Sequence, residues 1–515
     1  MADVTAHTAT TRVWPARVVA GRPERAWIRS PYLLLFLLLL TAYGYTFPRW
    51  ADWNQNSRFN LTRAIVEQRT LRIDAYVANT GDYALIDGHA YTDKAPGMSL
   101  MAVPMHALAQ VVRPFGPGWL AERLGANEAF AQTLNPDGAG TSAERVYIAA
   151  SLYLAVLACV ALPAALMGVM LARMVERASG CRTAGVLAAA IVGLATPAFT
   201  YSQAFYGHIP AAACLVGALA ALVLSEARPS DRRLLLVGFL LGLAVLIEYP
   251  SAVAGFPIAL YALYLAGRRA VLFGVAGALG PLAVLALYDM LAFGTPLPVG
   301  YEHSALWQEQ HQQGFLSLTR PTVDALWGLT GGSFRGLFFI APVLLLALPG
   351  CILGLAQRET RGVTLVVAAA FAGMLLFAAS SVMWWGGFAV GPRYILPAVP
   401  LLTLPLGFVL ARINRAALPW RAVGFVAVGV LGVVSGTLTW GLTFARQNYP
   451  PDTITDPVRD YVVPALRDGD VARNVGMAAH LTGPTSLLPL LLLLAGVGAL
   501  LLRTLIEAQR KRATA

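Results

Sequence analysis

Apolar runs long enough to cross a bilayer recur along this chain, and they constrain its fold more than any other feature. A spanning helix needs about 20 mostly apolar residues. Inside lipid, where no water can satisfy backbone N–H and C=O groups, helices and closed barrels are the structures that remain. With 57% of residues hydrophobic and 13% charged, a soluble globular chain is excluded. The first run, 31–47, follows a polar, Arg-rich stretch and is long enough to be a retained span rather than the short core of a cleaved signal. Eleven more runs follow, ending near Arg503, which gives an all-α polytopic membrane protein of about 12 transmembrane helices.

The net charge of +11 would suit a nucleic-acid partner, but its distribution argues for no nucleic acid. The basic residues sit in short loops beside alternate apolar runs, as the positive-inside rule requires. The N-terminal tail, 1–30, carries Arg12, Arg17, Arg22, Arg25 and Arg29 and is expected to be cytoplasmic. Together the segments assigned to the cytoplasm hold 22 Lys and Arg against 7 Asp and Glu, and the remainder holds 16 against 20. A register shifted by one span would mix these populations, so both termini are expected inside a multi-pass cell-membrane protein. The chain reads as one membrane domain, 1–515, with outer loops at 49–144, 294–335 and 446–483. Cys159, Cys181, Cys214 and Cys351 have no metal-ligand spacing and read as packing residues. The seven histidines show no zinc-type spacing either.

The first outer loop is the longest charged segment outside the apolar runs. Leu61, Ala64, Ile65 and Leu71 share one side of a helical pattern, with Arg63, Glu67 and Arg69 on others, so 60–71 is expected to lie in the membrane interface. Residues 98–112 are apolar but short, and Pro104, His106 and Gln110 interrupt them; they are expected to form an interfacial or partly embedded helix. Between these helices lies Tyr91-Thr92-Asp93-Lys94-Ala95-Pro96-Gly97. Lys94 is one of only two lysines among 38 basic residues. A lysine at the membrane surface, followed by Pro-Gly and a semi-apolar helix, suits a lipid phosphate as a point charge.

Asn56-Ser57-Arg58-Phe59, Ala64-Ile65-Val66-Glu67 and the Tyr91–Gly97 run together resemble the first loop of the GT-C glycosyltransferases, in particular the group of protein mannosyltransferases and lipid A aminoarabinose transferases. Gly391-Pro392-Arg393-Tyr394-Ile395-Leu396-Pro397 resembles the segment that opens a late span in that group. The resemblance implies a sugar donor on a polyprenyl phosphate, with hexosyl or pentosyl transfer. It implies that Lys94 binds the lipid phosphate and that Asp93 helps place it or a divalent metal. The group also uses an aspartate early in the first loop, and this sequence departs there, with Gln55 or Asn56 at that position. Asp52, just upstream and directly after the first span, is favoured as the carboxylate, with Asp74 downstream as the alternative.

The expected site is therefore Asp52, Asp74 and Asp93 as catalytic candidates and Lys94, Arg58 and Arg393 as phosphate ligands. Asn56, Tyr91, Glu248 and Tyr301 are expected to contact substrate. His208 and Trp307 are weaker candidates, and Trp384-Trp385 reads as an interfacial aromatic belt. The expected function is a glycosyltransferase working on the outer face of the membrane, with a lipid, glycan or protein as acceptor. A 12-span transporter and a catalytically silent relative compete with it. The near absence of charge within the apolar runs disfavours the transporter.

Overall fold

The computed structural model describes residues 30–49, 52–131, 142–225, 228–297, 300–311, 313–314 and 317–514. Residues 1–29 of the expected cytoplasmic tail and 132–141 of the first outer loop lie outside the described residues. Nearly everything else is helix, with one two-stranded antiparallel hairpin, Ala84–Ile86 against His89–Tyr91, in the first loop. Among the described residues, five helices are long and apolar enough to cross a membrane: Ala143–Ser179, Arg268–Phe293, Arg358–Ser380, Leu418–Phe444 and Gly483–Arg510. Shorter apolar helices include Pro31–Tyr43, Arg182–Leu194, His208–Val223 and Ser251–Ala266. The chain is a multi-pass membrane protein with a helical fold.

Local chemistry explains several of these elements. Pro31 starts the first helix, where the N–H missing from proline would have had no partner anyway. Within Ala143–Ser179, a π-turn at Leu157–Ala161 immediately precedes Pro163. The widened turn accommodates a ring that would otherwise collide with the preceding turn of helix. Helices Asp231–Ile247 and Arg268–Phe293 approach backbone to backbone. A Cβ on Gly238 would stand 1.8 Å from the Gly274 carbonyl oxygen, so only glycine permits that approach. Small residues serve this purpose between helices in lipid, where apolar side chains gain little from leaving the solvent.

The first loop departs from its expected form. Its helix runs Trp53–Arg63 and continues as a π-turn, Ala64–Gln68, that ends at Arg69 with a left-handed φ of 55°. Every residue from Asn54 to Ala64 is buried, so 60–64 of the segment expected in the interface are packed inside the protein, while 65–71 are partly buried or exposed. Its polar residues are hydrogen-bonded instead of solvated. Gln55 Nε2 donates to the Arg49 carbonyl at 2.6 Å, and the Phe205 N–H donates to Gln55 Oε1 at 3.1 Å. Ser57 and Thr92 share a hydroxyl bond of 2.7 Å, and Thr62 donates to the Ser99 carbonyl at 2.9 Å. The helix Gly97–Val112 buries Met98, Ala102 and His106 while Leu108, Val111 and Val112 are exposed. His106 is held between Ser151 at 2.6 Å and Glu67 at 2.8 Å.

Gly97 shows what the Pro-Gly of the loop motif does. A Cβ there would stand 2.6 Å from the Leu246 carbonyl oxygen and 2.8 Å from Ile247 Cα. The glycine lets the loop helix touch the backbone at the end of helix Asp231–Ile247, beside Glu248. Gly97→Ala forces two backbones apart, and the expected loss is about 1–3 kcal/mol, as for other overpacked cores. A lowered Tm of the purified protein checks it, and an unchanged Tm would show that the contact yields.

Candidate active site

Six stretches of the chain meet in one cavity of about 530 Å³, within the range of about 300–1,000 Å³ typical of small-molecule sites. The first loop contributes Asp52, Asp82 and Lys94, and the turns at the helix ends contribute Tyr206 and Glu248. The second outer loop contributes Tyr301, Trp307 and His311. The late segments contribute Trp385, Arg393 and Asp452. One flank is apolar, with Leu318, Phe377, Met383 and Phe388.

Asp52 is placed by helix capping. It precedes the helix Trp53–Arg63, and its Oδ1 accepts from the Gln55 N–H at 3.1 Å, satisfying a backbone donor that the first helical turn leaves free. The Tyr206 hydroxyl lies 2.7 and 2.9 Å from the two carboxylate oxygens and donates to them. Burial pushes the Asp52 carboxyl above its ordinary value, while the Gln55 N–H, Tyr206 and the nearby Arg393 hold it back. Asp52 is thus a desolvated carboxylate facing the cavity and oriented from two sides.

Lys94 sits between two carboxylates. Its Nζ is 3.0 Å from Asp93 Oδ2 and 3.2 Å from Asp82 Oδ2, and it lies 5.4 Å from the Tyr301 ring centre. Burial alone would depress the ammonium, but Asp82 and Asp93 outweigh it and raise its pKa, so the charge is fixed. For Asp82, burial raises the carboxyl, but the Lys94 charge overcomes it and holds the group below its ordinary value. Asp93, fully buried on the far side of Lys94, is pushed up by burial. Asp93 therefore braces Lys94 from behind and does not line the cavity.

This arrangement does not fit a divalent metal. The position between Asp82 and Asp93 that a cation would take holds the ammonium, and among the described residues no three His, Cys, Asp or Glu side chains gather as a ligand set. One buried oxygen, Asp93 Oδ1, is left without a partner, too few for a metal site.

Arg393 is a cavity cation with no carboxylate partner. It follows Gly386 and Gly391, both at positive φ, in the turn before Pro397. Its guanidinium lies 5.6 Å from the Tyr206 ring centre and 5.3 Å from that of Tyr394. Its Nε is buried with no hydrogen-bond partner, and among the described residues no carboxylate comes within ion-pair distance. A buried guanidinium edge without a partner is suited to an incoming anion.

Other expected site residues are placed elsewhere. Arg58 is fully buried, and its donors are used: Nη2 to Glu248 at 2.8 Å, Nε to Asn54 at 3.1 Å, and Nη1 to the Ala95 and Ile247 carbonyls. It ties the loop to the turn at Glu248 and does not line the cavity as a phosphate ligand. Asp74 lies on the surface, bonded to His89 at 2.9 Å and to the Ala90 N–H at 2.6 Å, away from the cavity. Asn56 donates to the Asn79 carbonyl, and the Tyr91 hydroxyl accepts from Arg72; neither lines the cavity. Glu248 and Tyr301 do line it, and Glu248 also lies 3.4 Å from His208 Nδ1. Asp82, Tyr206, His311, Arg49, Trp385 and Asp452 are cavity residues that sequence reasoning did not single out as a site. Asp82 is one of several charged residues in the first loop, and the others lie in separate segments with no shared motif.

The Arg58–Glu248 pair gives a direct stability prediction. Removing Glu248 as Glu248→Ala leaves a buried guanidinium uncompensated, and the expected cost is about 3–5 kcal/mol. Thermal or denaturant unfolding of the purified protein checks it; a change within error would mean that Arg58 finds another partner.

Residues 146–291, less than half of the chain, match the family described as dolichyl-phosphate-mannose-protein mannosyltransferase. This stretch covers helices beyond the first loop, and it points to the same group that the loop motifs resemble. The chain is thus similar to the GT-C glycosyltransferases through both regions. No curated protein matches it in sequence. Among solved structures, ArnT from Cupriavidus metallidurans bound to undecaprenyl phosphate is similar at 13% identity and a TM-score of 0.48, over 94% of this chain and 74% of that one. The apo state of ArnT matches at 16% identity and 0.44, over 79% and 63%. The archaeal oligosaccharyltransferase AglB from Archaeoglobus fulgidus, in complex with an inhibitory peptide and a dolichol-phosphate, matches at 11% identity and 0.49, over 81% and 56%.

Proposed function

We propose that this chain is a membrane glycosyltransferase that moves a hexosyl or pentosyl group from a polyprenyl-phosphate donor to an acceptor hydroxyl on the outer face of the membrane. The observation that carries this reading is one cavity lined by a partly buried carboxylate, Asp52, a guanidinium with no carboxylate partner, Arg393, and a fixed ammonium, Lys94, beside an apolar flank. The match of residues 146–291 to a dolichyl-phosphate-mannose-dependent family supports the donor class. The charge asymmetry of the sequence supports twelve crossings with both termini inside and this cavity on the outer side.

Each residue then has a task. The phosphate of the donor lies against Arg393 and Lys94, and the prenyl chain leaves along Phe377, Met383 and Phe388 toward lipid. Asp52 takes the proton of the acceptor hydroxyl as its oxygen attacks the anomeric carbon. The bond from that carbon to the phosphate oxygen breaks, and the departing polyprenyl phosphate keeps the electron pair. Arg393 and Lys94 stabilise the charge that develops there. Tyr206 orients Asp52, and Asp82 and Asp93 fix Lys94. Asp74 has no part in this scheme.

Reconstitution in lipid with polyprenyl-phosphate mannose and arabinose tests the reading. Release of polyprenyl phosphate from either donor is the expected result. Solute uptake without donor cleavage would make the chain a transporter, and neither activity together with no binding of polyprenyl phosphate would overturn the assignment.

A further inference from the structure

The cavity contains the same side-chain arrangement twice. On one side the Trp307 indole N–H points to Asp82 Oδ1 at 3.4 Å; on the other the Trp385 indole N–H donates to Asp452 Oδ2 at 3.1 Å. All four residues line the cavity, and each tryptophan is only partly buried. The first pair belongs to the phosphate side, because Asp82 is also bonded to Lys94. The second is not bonded to Lys94 and is linked to Asp52 through two tyrosines. Tyr206, bonded to Asp52, packs 6.4 Å from Tyr449, and Tyr449 belongs to the segment that carries Asn448 and Asp452 into the cavity.

An indole whose edge N–H holds a carboxylate presents two surfaces at a fixed angle. The ring face is apolar and polarisable, and the remaining carboxylate lone pairs accept hydrogen bonds. A sugar ring has the complementary shape, with a C–H face and a rim of hydroxyl donors. A serine or threonine side chain offers one hydroxyl and no such face, and a lipid tail offers no donors. The Trp307–Asp82 pair, next to Lys94, is accounted for by the donor sugar. The Trp385–Asp452 pair, not bonded to Lys94 and borne partly on the segment that packs beside the Asp52–Tyr206 pair, has no task in the scheme above. We infer that Trp385 and Asp452 form an acceptor subsite and that the acceptor is a carbohydrate. This inference rests on the proposed glycosyl transfer and narrows its acceptor from lipid, glycan or protein to a saccharide hydroxyl.

The geometry sets the roles. Trp385 stacks on the acceptor ring, Asp452 accepts from two of its hydroxyls, and Asn448 at the cavity wall offers a further amide. One hydroxyl is thereby turned toward Asp52. The proton leaves on the Asp52 carboxylate, the new glycosidic bond forms, and the polyprenyl phosphate departs with its electron pair. Trp385 and Asp452 bind the acceptor and take no proton.

Binding measured separately for the two halves of the cavity tests this. The full-length protein in lipid nanodiscs is titrated with undecaprenyl phosphate and, separately, with a set of methyl pyranosides, methyl furanosides and their disaccharides, using saturation-transfer NMR and isothermal titration. A threonine-containing peptide is the competing probe. Expected is saturable binding of at least one saccharide, weakened tenfold or more by Trp385→Ala and several-fold by Asp452→Asn, with undecaprenyl phosphate affinity unchanged. Trp385→Phe keeps a stacking face without the N–H and is expected to recover part of the affinity, which a merely misfolded variant would not do. Arg393→Gln is expected to show the reverse pattern. No saccharide binding to the wild-type protein, or saccharide binding indifferent to both substitutions, overturns the subsite. Binding of the peptide in place of sugars, lost in the same variants, makes the acceptor a protein and also overturns it. Failure of undecaprenyl phosphate to bind the wild-type protein instead defeats the proposed function, whatever the saccharide titrations give.

Discussion

Asp52→Asn is expected to lower sugar transfer by about 10²–10⁴-fold, the range for loss of a positioned general base, with the affinity for polyprenyl phosphate little changed. The amide keeps the shape of the carboxylate, and its oxygen can still accept from the Gln55 N–H and the Tyr206 hydroxyl, so the cap and the fold survive. What is lost is the ability to take a proton. The same group sets the pH dependence. Burial raises the Asp52 carboxyl above its ordinary value, and the base works only when unprotonated. Transfer is therefore expected to rise with pH through a value above the usual carboxylate range and then level off. Tyr206→Phe removes a hydrogen bond that favours the charged form, so the rising limb moves to still higher pH. Profiles of kcat/KM against pH for the three proteins read both effects. Full transfer by the Asn variant, or a limb that stays in place in the Phe variant, would remove Asp52 from the reaction. Asp74→Asn, on the surface with His89, is expected to match the wild type.

The second large effect concerns Lys94. Lys94→Met leaves Asp82 and Asp93 buried with their shared cation gone, a situation that costs about 3–5 kcal/mol. A loss of activity in this variant alone would therefore be ambiguous between a collapsed site and a lost phosphate ligand. Adding Asp93→Asn and Asp82→Asn removes the repulsion. The triple variant is expected to recover most of the lost Tm while transfer stays down by about 10²–10³-fold, as when one stabiliser of developing charge is removed. Recovery of both stability and transfer would make Lys94 a purely structural ion. Loss of stability that the Asn changes do not restore would mean that the pair energies have been misassigned.

Much of the architecture is legible in the sequence because lipid permits so few backbone solutions. The apolar runs mark where helices lie, and the Asp93-Lys94-Ala-Pro-Gly run marks a turn held against a helix end. The rest needed three dimensions. Arg58 and Arg393 look alike in the sequence, as basic residues near an outer face. What separates them is Glu248, 190 positions away, which takes up Arg58 and leaves Arg393 unpaired. Residues 60–71 were expected in the interface because apolar and charged residues alternate there at helical spacing, and 60–64 are instead buried at the end of the helix Trp53–Arg63. Periodicity cannot tell solvation from internal hydrogen bonding, and here Gln55, Ser57 and Thr62 find protein partners on several sides. Asp82, Tyr206 and Asp452 are single residues brought together by long connections, and no local pattern announces them.

The buried pair Arg58–Glu248 has a consequence for biogenesis. Synthesis delivers Arg58 about 190 residues before its counter-ion, and chains emerge at about 5–20 residues per second. For roughly ten seconds or more, then, the guanidinium must remain without its counter-ion while the intervening helices are made. The first loop cannot settle into its final place until helix Asp231–Ile247 is inserted and Glu248 arrives. The cavity itself closes later still, when the segment carrying Asp452 emerges. Truncations that end before Glu248 should therefore leave the first loop open to protease, and those that extend just beyond it should protect the loop before any catalytic competence exists.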